Sequence, residues 1–535
     1  MSAPQDELLR LEHLRVTYPG RRRTPPVVAV ADLSLTVARG ETVAIVGESG
    51  SGKSTTLSAL LGLLPRTAEV RYDRLDVGEH RDVTDPATLR GRALGLVPQD
   101  PARALDPLVR IGENFAELHR HLLRITDRDE SRRRALDTLE SVGVDRPELR
   151  LRQYPHELSG GLRQRILIGL ALVAEPRLLL ADEPTSNLDA TVQRRVLDLF
   201  DQLRAERGLG LLLVTHDLAV AAERADRIVV VRHGQLVETG PARAIVRSPH
   251  RKYTRELVHS QPSLLPARPR FQSETPPRIV LTGQGLSKSF GGVAAVQDID
   301  LQLHRGQSIA IVGESGAGKS TLLRLLTGLE RPDAGTVQLG GALPRRGDPA
   351  FSRAVQLVYQ NPASSLNPAQ RVGRIIAEPL EAHRVGTPAG RAARARQLLE
   401  HVELPPDIAD RRPTQLSGGQ AQRVAIARAL ALEPDVVALD EPVSALDQAV
   451  QYALLRLLTS LQETLGIAYL LVSHDLGVVR AVADEVIVMR DGRVEERGPT
   501  DTVFARPTSA YTRTLLDAVP VLDEFPASSP PERSA

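Results

Sequence analysis

The stretches GESGSGKST at 47–55 and GESGAGKST at 313–321 decide how this chain is read. The first sits in TVAIVGESGSGKSTTL, an apolar run, a glycine-rich loop and then a helical pattern. It satisfies GxxxxGK[ST] in the strand–loop–helix setting that gives the motif its meaning. Gly47, Gly50 and Gly52 let backbone N–H groups converge on phosphate oxygens, with the positive end of a helix behind them. Ser49 and Thr55 flank that cradle, Lys53 is expected at the β- and γ-phosphates, and Ser54 at Mg²⁺. Gly313, Ser315, Gly316, Gly318, Lys319, Ser320 and Thr321 repeat the set. One such loop can be an ordinary glycine turn before a helix. Two, each after an apolar run, read as two phosphate sites.

The repetition continues outward in the same order. LSGG recurs at 158–161 and 416–419, ADEPTSNLD (181–189) as LDEPVSALD (439–447), and LLVTHDL (212–218) as LLVSHDL (470–476). Lys53 and Lys319 are 266 residues apart, Gln99 and Gln360 are 261 apart, and from Ser159/Ser417 onward the offset holds at 258. The first copy therefore carries 8 extra residues between its phosphate loop and its LSGG segment. Insertions collect in surface loops, so the constant half is expected to be the more constrained. The offset of 258 persists to Tyr253 and Tyr511, in SPHRKYTRELV (248–258) and RPTSAYTRTLL (506–516), so each copy is expected to end in a short helix.

These offsets divide the chain into a first domain at 8–259, a Pro-rich linker at 260–278, a second domain at 279–519 and a disordered tail at 520–535. The 19-residue linker reaches about 60 Å when extended, enough to let two domains face each other. LLLA (178–181), LLLV (211–214) and RIVVV (227–231) are continuous apolar runs of the kind buried on both faces of a parallel sheet. They alternate with longer helical patterns, which argues an α/β fold.

LLLADEP places Asp182 at a strand end, suited to a Mg²⁺ shell, and Glu183 one step on, placed to orient or deprotonate water. Asp440 and Glu441 repeat the pair. An acidic helix cap is the plainer reading of such a pair, and the neighbouring phosphate loop argues against it. Ser159, Gly160 and Gly161 open a helix, as do Ser417, Gly418 and Gly419. An N-cap and turn would account for them. An anion site of hydroxyl, glycine N–H groups and helix dipole accounts for them as well. His216 and His474 each follow an apolar strand, and their recurrence favours a site role over a structural one.

Composition excludes much else. Lys+Arg is 68 against Asp+Glu 66, a formal charge of +2, without the basic excess of a general nucleic-acid binder. There are no cysteines, so disulfides, thiolate zinc, cysteine-ligated iron–sulfur clusters and a cysteine nucleophile are all excluded. The longest clearly apolar stretch, ILIGLALVA at 166–174, is about half a bilayer span, and no signal-peptide core opens the chain. The expectation is a soluble chain that borrows any membrane role from a partner.

The motif set resembles the ATP-binding subunits of ABC transporters, over nearly the whole chain: Walker A, Q-loop, signature, Walker B, D-loop and H-loop, in order and in duplicate. QDPARALDP (99–107), QNPASSLNP (360–368) and the YTR tails resemble the oligopeptide/dipeptide/nickel importer branch. The resemblance implies two tandem P-loop NTPase domains, each with a RecA-like parallel-sheet core, an antiparallel β subdomain and a helical subdomain. It implies two ATP molecules, with Mg²⁺, bound between head-to-tail halves. Tyr18 and Phe290 would stack on adenine, and Gln99 and Gln360 would touch Mg²⁺ or water. Ser159, Gly161, Ser417 and Gly419 would meet the γ-phosphate across the interface, Asp189 and Asp447 would be the D-loop carboxylates, and His216 and His474 would hold γ-phosphate and water. It also implies two membrane permeases, an external solute-binding protein and a place on the cytoplasmic face of the membrane. No nucleic-acid partner is expected.

Three departures stand out. Leu162 replaces the signature glutamine that the second copy keeps as Gln420. GRRRTPP (20–26) has no counterpart in the second copy and reads as a solvated loop. The cysteine-ligated cluster of some peptide-branch relatives is impossible here. The alternatives are a soluble twin-ATPase translation factor on ribosomes and a sugar-importer ATPase. The first would carry a long charged linker, and the second often has a degenerate cassette; both cassettes here are intact. A DNA-repair ATPase would bring zinc cysteines or a coiled-coil insertion, and neither is present.

Overall fold

The computed structural model describes residues 7–20, 25–186, 188–261, 264, 278–345, 347–444 and 446–520. The three GRRRTPP arginines, the body of the Pro-rich linker and the tail beyond 520 lie outside them. The chain up to Gln261 makes, in the main, one compact unit, and the chain up to Val519 a second.

The strands of the first unit are β1 (Glu7–Tyr18), β2 (Val27–Ala38), β3 (Thr42–Val46), β4 (Glu69–Arg71), β5 (Arg74–Val77), β6 (Leu94–Val97), β7 (Leu178–Asp182), β8 (Gly210–Val214), β9 (Arg227–Arg232) and β10 (Gln235–Pro241). Five run parallel in the order β6-β7-β8-β3-β9, with β10 antiparallel at the β9 edge. Every residue of β3 and β8 is buried, which is why their sequences read as unbroken apolar runs. β1 pairs antiparallel with β2, β4 and β5, forming a second layer that joins the first through the single pair Gln235–Asp32.

Helices fill the two faces. The phosphate-loop helix Lys53–Leu60 buries Leu57 and Leu60 between the parallel and antiparallel layers. On the other face, helices Ile111–Leu123 and Arg128–Ser141 pack with Gly160–Ala171 around Phe115, Leu139 and Ile166, all 0% exposed. Truncating such an aromatic to alanine typically costs about 3–5 kcal/mol.

The second unit repeats the plan with β11 (Ile279–Phe290), β12 (Val293–His304), β13 (Ser308–Val312), β14 (Ala334–Leu339), β15 (Val355–Val358), β16 (Val436–Asp440), β17 (Ala468–Val472), β18 (Glu485–Arg490) and β19 (Arg493–Pro499). Its parallel order is β15-β16-β17-β13-β18, with β19 antiparallel and a separate antiparallel sheet β12-β11-β14. The extra residues of the first copy fall where the plan tolerates them. Two short strands, β4 and β5, stand where the second unit has the single strand β14, and helix Ile111–Leu123 is 13 residues against 11 in Val372–Ala382.

Both units close with the expected helix, Lys252–His259 and Ala510–Asp517. Ser260 and Gln261, which composition assigns to the linker, are buried against the first unit, with the Gln261 side-chain amide donating to the Leu257 carbonyl. Among the described residues no helix is long and apolar enough to cross a membrane.

Candidate functional site

Strand order assembles the site. β3, β8, β7 and β6 are neighbours and parallel, so the residues just beyond their ends, the 47–55 loop, His216, Glu183 and Gln99, gather at one edge. β13, β17, β16 and β15 do the same for the 313–321 loop, His474, Glu441 and Gln360.

The phosphate loops need glycine for two reasons. Gly52 and Gly318 adopt φ of 98° and 97°, and a Cβ would lie 2.4 Å from the Ala29 carbonyl oxygen and 2.1 Å from that of Ala295. Lys53 is buried and donates to the Gly47 and Glu48 carbonyls at 2.7 and 2.9 Å; Lys319 donates to Gly313 and Glu314, both at 2.8 Å. Burial lowers the Lys319 pKa, because a desolvated ammonium is disfavoured. Each ammonium is thus held on its own loop beside the cradle that phosphates would enter.

The Ser54 hydroxyl donates to Asp182 Oδ1 at 3.0 Å, and that of Ser320 to Asp440 Oδ1 at 3.4 Å. Burial pushes both aspartates above the usual carboxylate range, with the adjacent glutamate adding to the push. This is a pair of hard oxygens at the end of a strand. Among the described residues no cluster of three or more His, Cys, Asp or Glu could hold a metal without other ligands. That donor set fits Mg²⁺, which commonly takes one or two protein ligands and completes its shell with phosphates and water.

Glu183 and Glu441 carry φ of 45° and 46°, a region sparsely used by residues with a Cβ. Their backbone N–H groups donate to Val214 and Val472 carbonyls at 2.8 and 2.9 Å, so the last residue of β8 or β17 fixes the turn. Glu183 Oε2 accepts from Gln99 Nε2 at 2.9 Å and lies 3.2 Å from His216 Nδ1. Glu441 Oε2 accepts from Gln360 Nε2 at 2.6 Å, and its Oε1 lies 3.2 Å from His474 Nδ1. Burial alone would raise both glutamates, but the histidine partner and the nearby lysine outweigh it and bring them below the usual range. Reciprocally, burial would lower His216 and His474, and the glutamate wins and raises them. Each trio is an ionised carboxylate held by an imidazole and an amide.

Ser159 and Ser417 are the N-caps of helices Gly160–Ala171 and Gly418–Leu430, accepting from Leu162 N and Gln420 N. In the second unit Gln420 Oε1 returns the favour to Ser417 N at 3.0 Å. Leu162 has no such acceptor and instead packs on the apolar core, which is the structural content of that departure. Gly161 and Gly419 allow close approach to the next helix, since a Cβ would sit 2.5 Å from Val192 Cγ1 and 2.4 Å from Val450 Cγ1. Asp447 caps that helix, Gln448–Leu465, through Val450 N, and Asp189 Oδ1 accepts from the Thr191 hydroxyl. Tyr18 ends β1 half-buried against the core; Phe290 ends β11 half-exposed, with Lys288 Nζ 5.4 Å from its ring centre.

One contact was not foreseen. The Tyr253 hydroxyl accepts from the Glu48 N–H at 3.2 Å, and the Tyr511 hydroxyl from Glu314 N–H at 3.1 Å. The only sequence signal was that these tyrosines recur at the site's own offset.

Comparison with known proteins bears on the same residues. The ABC transporter family profile matches residues 30–186 and 296–444. The chain belongs to the ABC transporter family. It is an ATPase. A profile described as the C-terminal region of oligopeptide/dipeptide transporters matches 237–284 and 495–530 of this ABC protein. Over 96% of its length it is 39% identical to the oligopeptide transport ATP-binding protein OppD of Mycobacterium tuberculosis, covering 99% of that protein. It is 37% identical to the glutathione import ATP-binding protein GsiA of Escherichia coli K12, over 98% of this chain and 91% of that one. Among solved structures, the archaeal ribosome recycling factor aABCE1, in complex with ribosomal stalk protein aP1, matches with a TM-score of 0.59 at 22% identity, over 89% of this chain and 88% of that one. At that identity the likeness speaks to the fold alone.

Proposed function

We propose that this ABC ATPase energises an importer for peptides or related small solutes such as nickel chelates. One observation carries the reading. The peptide-type C-terminal region occurs twice, each time on a cassette whose glutamate, histidine and glutamine are all in place. The relatives named for oligopeptide and glutathione transport support the same class.

Two head-to-tail sites are proposed, each pairing one phosphate loop with the other copy's signature: Lys53 with Ser417, Gly418 and Gly419, and Lys319 with Ser159, Gly160 and Gly161. Ser54 and Asp182 with Gln99, or Ser320 and Asp440 with Gln360, would hold Mg²⁺, which would supply charge neutralisation on the phosphates. Lys53 and Lys319 leave their loop carbonyls for phosphate oxygens. Glu183 and Glu441, kept ionised by His216 and His474, orient the attacking water and receive its proton. Gln99 and Gln360, hydrogen-bonded to those carboxylates, sense their state. Tyr18 and Phe290 stack on adenine, and Asp189 and Asp447 serve the D-loops. ATP binding closes the halves and hydrolysis reopens them. At the membrane's cytoplasmic face the chain passes the work to two transmembrane permeases, and a solute-binding protein delivers cargo.

The test is a tagged-chain pull-down from gently solubilised native membranes, with the ribosomal fraction run in parallel. Two multispanning permeases in the eluate are the expected result. Enrichment on ribosomes without permeases would overturn the importer reading and leave the ATPase standing.

A further inference from the structure

The peptide between Gly47 and Glu48 is held at both ends. Its carbonyl accepts from Lys53 Nζ at 2.7 Å, and its N–H donates to the Tyr253 hydroxyl at 3.2 Å. The peptide between Gly313 and Glu314 is held in the same way, by Lys319 at 2.8 Å and Tyr511 at 3.1 Å. The two grips differ in kind. The lysine is the group expected to move to phosphate. The tyrosine belongs to the closing helix of the unit, outside the nucleotide cradle, and has no reason to leave.

That helix is itself fixed. The Glu238 carboxylate, on β10, accepts N–H groups from His250 and Arg251 just ahead of helix Lys252–His259. Glu496, on β19, accepts from Thr508 N, the Thr508 hydroxyl and Ser509 N just ahead of Ala510–Asp517. Tyr253 and Tyr511 are 6% and 9% exposed, and the guanidinium carbons of Arg232 and Arg490 stand 4.5 and 5.0 Å from their ring centres. These arginines end β9 and β18, and the carbonyls just before them, Val231 and Met489, lie against Gly47 and Gly313. Strand end, closing helix and phosphate loop therefore meet at one place in each unit. The Tyr511 phenol, its pKa raised to about 12 chiefly by burial, stays neutral across the physiological range.

We infer that Tyr253 and Tyr511 are positioning residues for nucleotide binding: each hydroxyl fixes the first peptide of its phosphate loop, so that the cradle keeps its shape when the lysine departs. Without the hydroxyl, a half-buried N–H loses its partner and other peptide orientations gain population. Nucleotide then binds only the fraction of loops still correctly formed, and affinity falls by that fraction.

Phenylalanine removes the hydroxyl and keeps the ring under the arginine, so it tests the bond and spares the packing. Full-length chain carrying Lys53→Ala isolates the second loop, and Lys319→Ala the first. Calorimetry with MgADP should show Tyr511→Phe, in the Lys53→Ala background, weakening binding about threefold to tenfold. The nucleotide-free melting midpoint should stay within about two degrees, and Tyr253→Phe in the Lys319→Ala background should behave alike. An affinity within twofold of the parent, or a tighter one, overturns the inference. So does an affinity loss that appears only together with a large drop in the nucleotide-free midpoint, since that describes a packing residue.

Discussion

At the scale of single residues, the decisive geometry is the glutamate after the Walker B strand. Its positive φ turns the side chain back toward the His and Gln, and a carboxylate gripped at 2.6–3.2 Å by two partners is oriented before water arrives. Glu183→Gln and Glu441→Gln remove the proposed base and keep the shape. Each is expected to slow single-turnover hydrolysis at its own site by roughly 10²–10⁴-fold, the usual worth of a positioned base, with ATP binding retained. Whichever variant leaves the rate untouched identifies a site that does not hydrolyse. The identity of these residues was legible from the repeat, because Asp–Glu after an apolar run recurs at the same 258-residue offset as the LSGG segments and the histidines. Their backbone strain was not, since φ at Glu183 is imposed by the hydrogen bond to Val214 across the sheet, a partner 31 residues away. The resting place of Lys53 on its own loop was equally invisible, because the motif specifies the lysine's destination and says nothing of where it waits.

At the scale of elements, apolar runs announced the central strands correctly. The antiparallel layer came only with the family resemblance, because β1 and β2 alternate and bulge and carry no continuous apolar signal. The closing helices were legible as helices, but what anchors them was not. Glu496 lies in RVEERGP, which reads as a solvated edge strand, yet the residue is 9% exposed and its carboxylate is bonded to two backbone N–H groups. Burial works to raise its pKa, and those bonds together with threonine hydroxyls outweigh it, bringing it from 4.5 to about 2. A group whose folded pKa is depressed adds stability above its unfolded pKa and loses that stability as pH falls toward the folded value. The contribution is about 3 kcal/mol near neutrality and falls to about half of that by pH 3. Denaturant unfolding of wild type and Glu496→Gln from pH 7 to pH 3 should therefore show a gap that is widest at neutrality and narrows in acid. A gap of constant width would mean that Glu496 does not anchor the helix as an ion.

At the scale of the whole molecule, the phosphate loop and the residues around it occur twice, so the proposed function calls for two nucleotides per chain. Duplicated ATPases can keep one worn copy. Here the Lys–carbonyl contacts agree within 0.1 Å between units, the Glu–His pairs stand at 3.2 Å in both, and the signature differs only at Leu162 against Gln420. A missing capping bond at one helix end is worth about 1 kcal/mol or less, too little to silence a site built on charge. Wild-type chain should therefore bind two MgADP by calorimetry. Deleting either loop lysine removes a charged hydrogen-bond donor to phosphate, a loss of about 1.5–3 kcal/mol, or roughly tenfold to a hundredfold in affinity. Lys53→Ala and Lys319→Ala should each leave one tight site, and the double variant none. A wild-type stoichiometry of one would show that one of the two intact-looking loops does not take nucleotide, and the single variant that abolishes binding would name the loop that does.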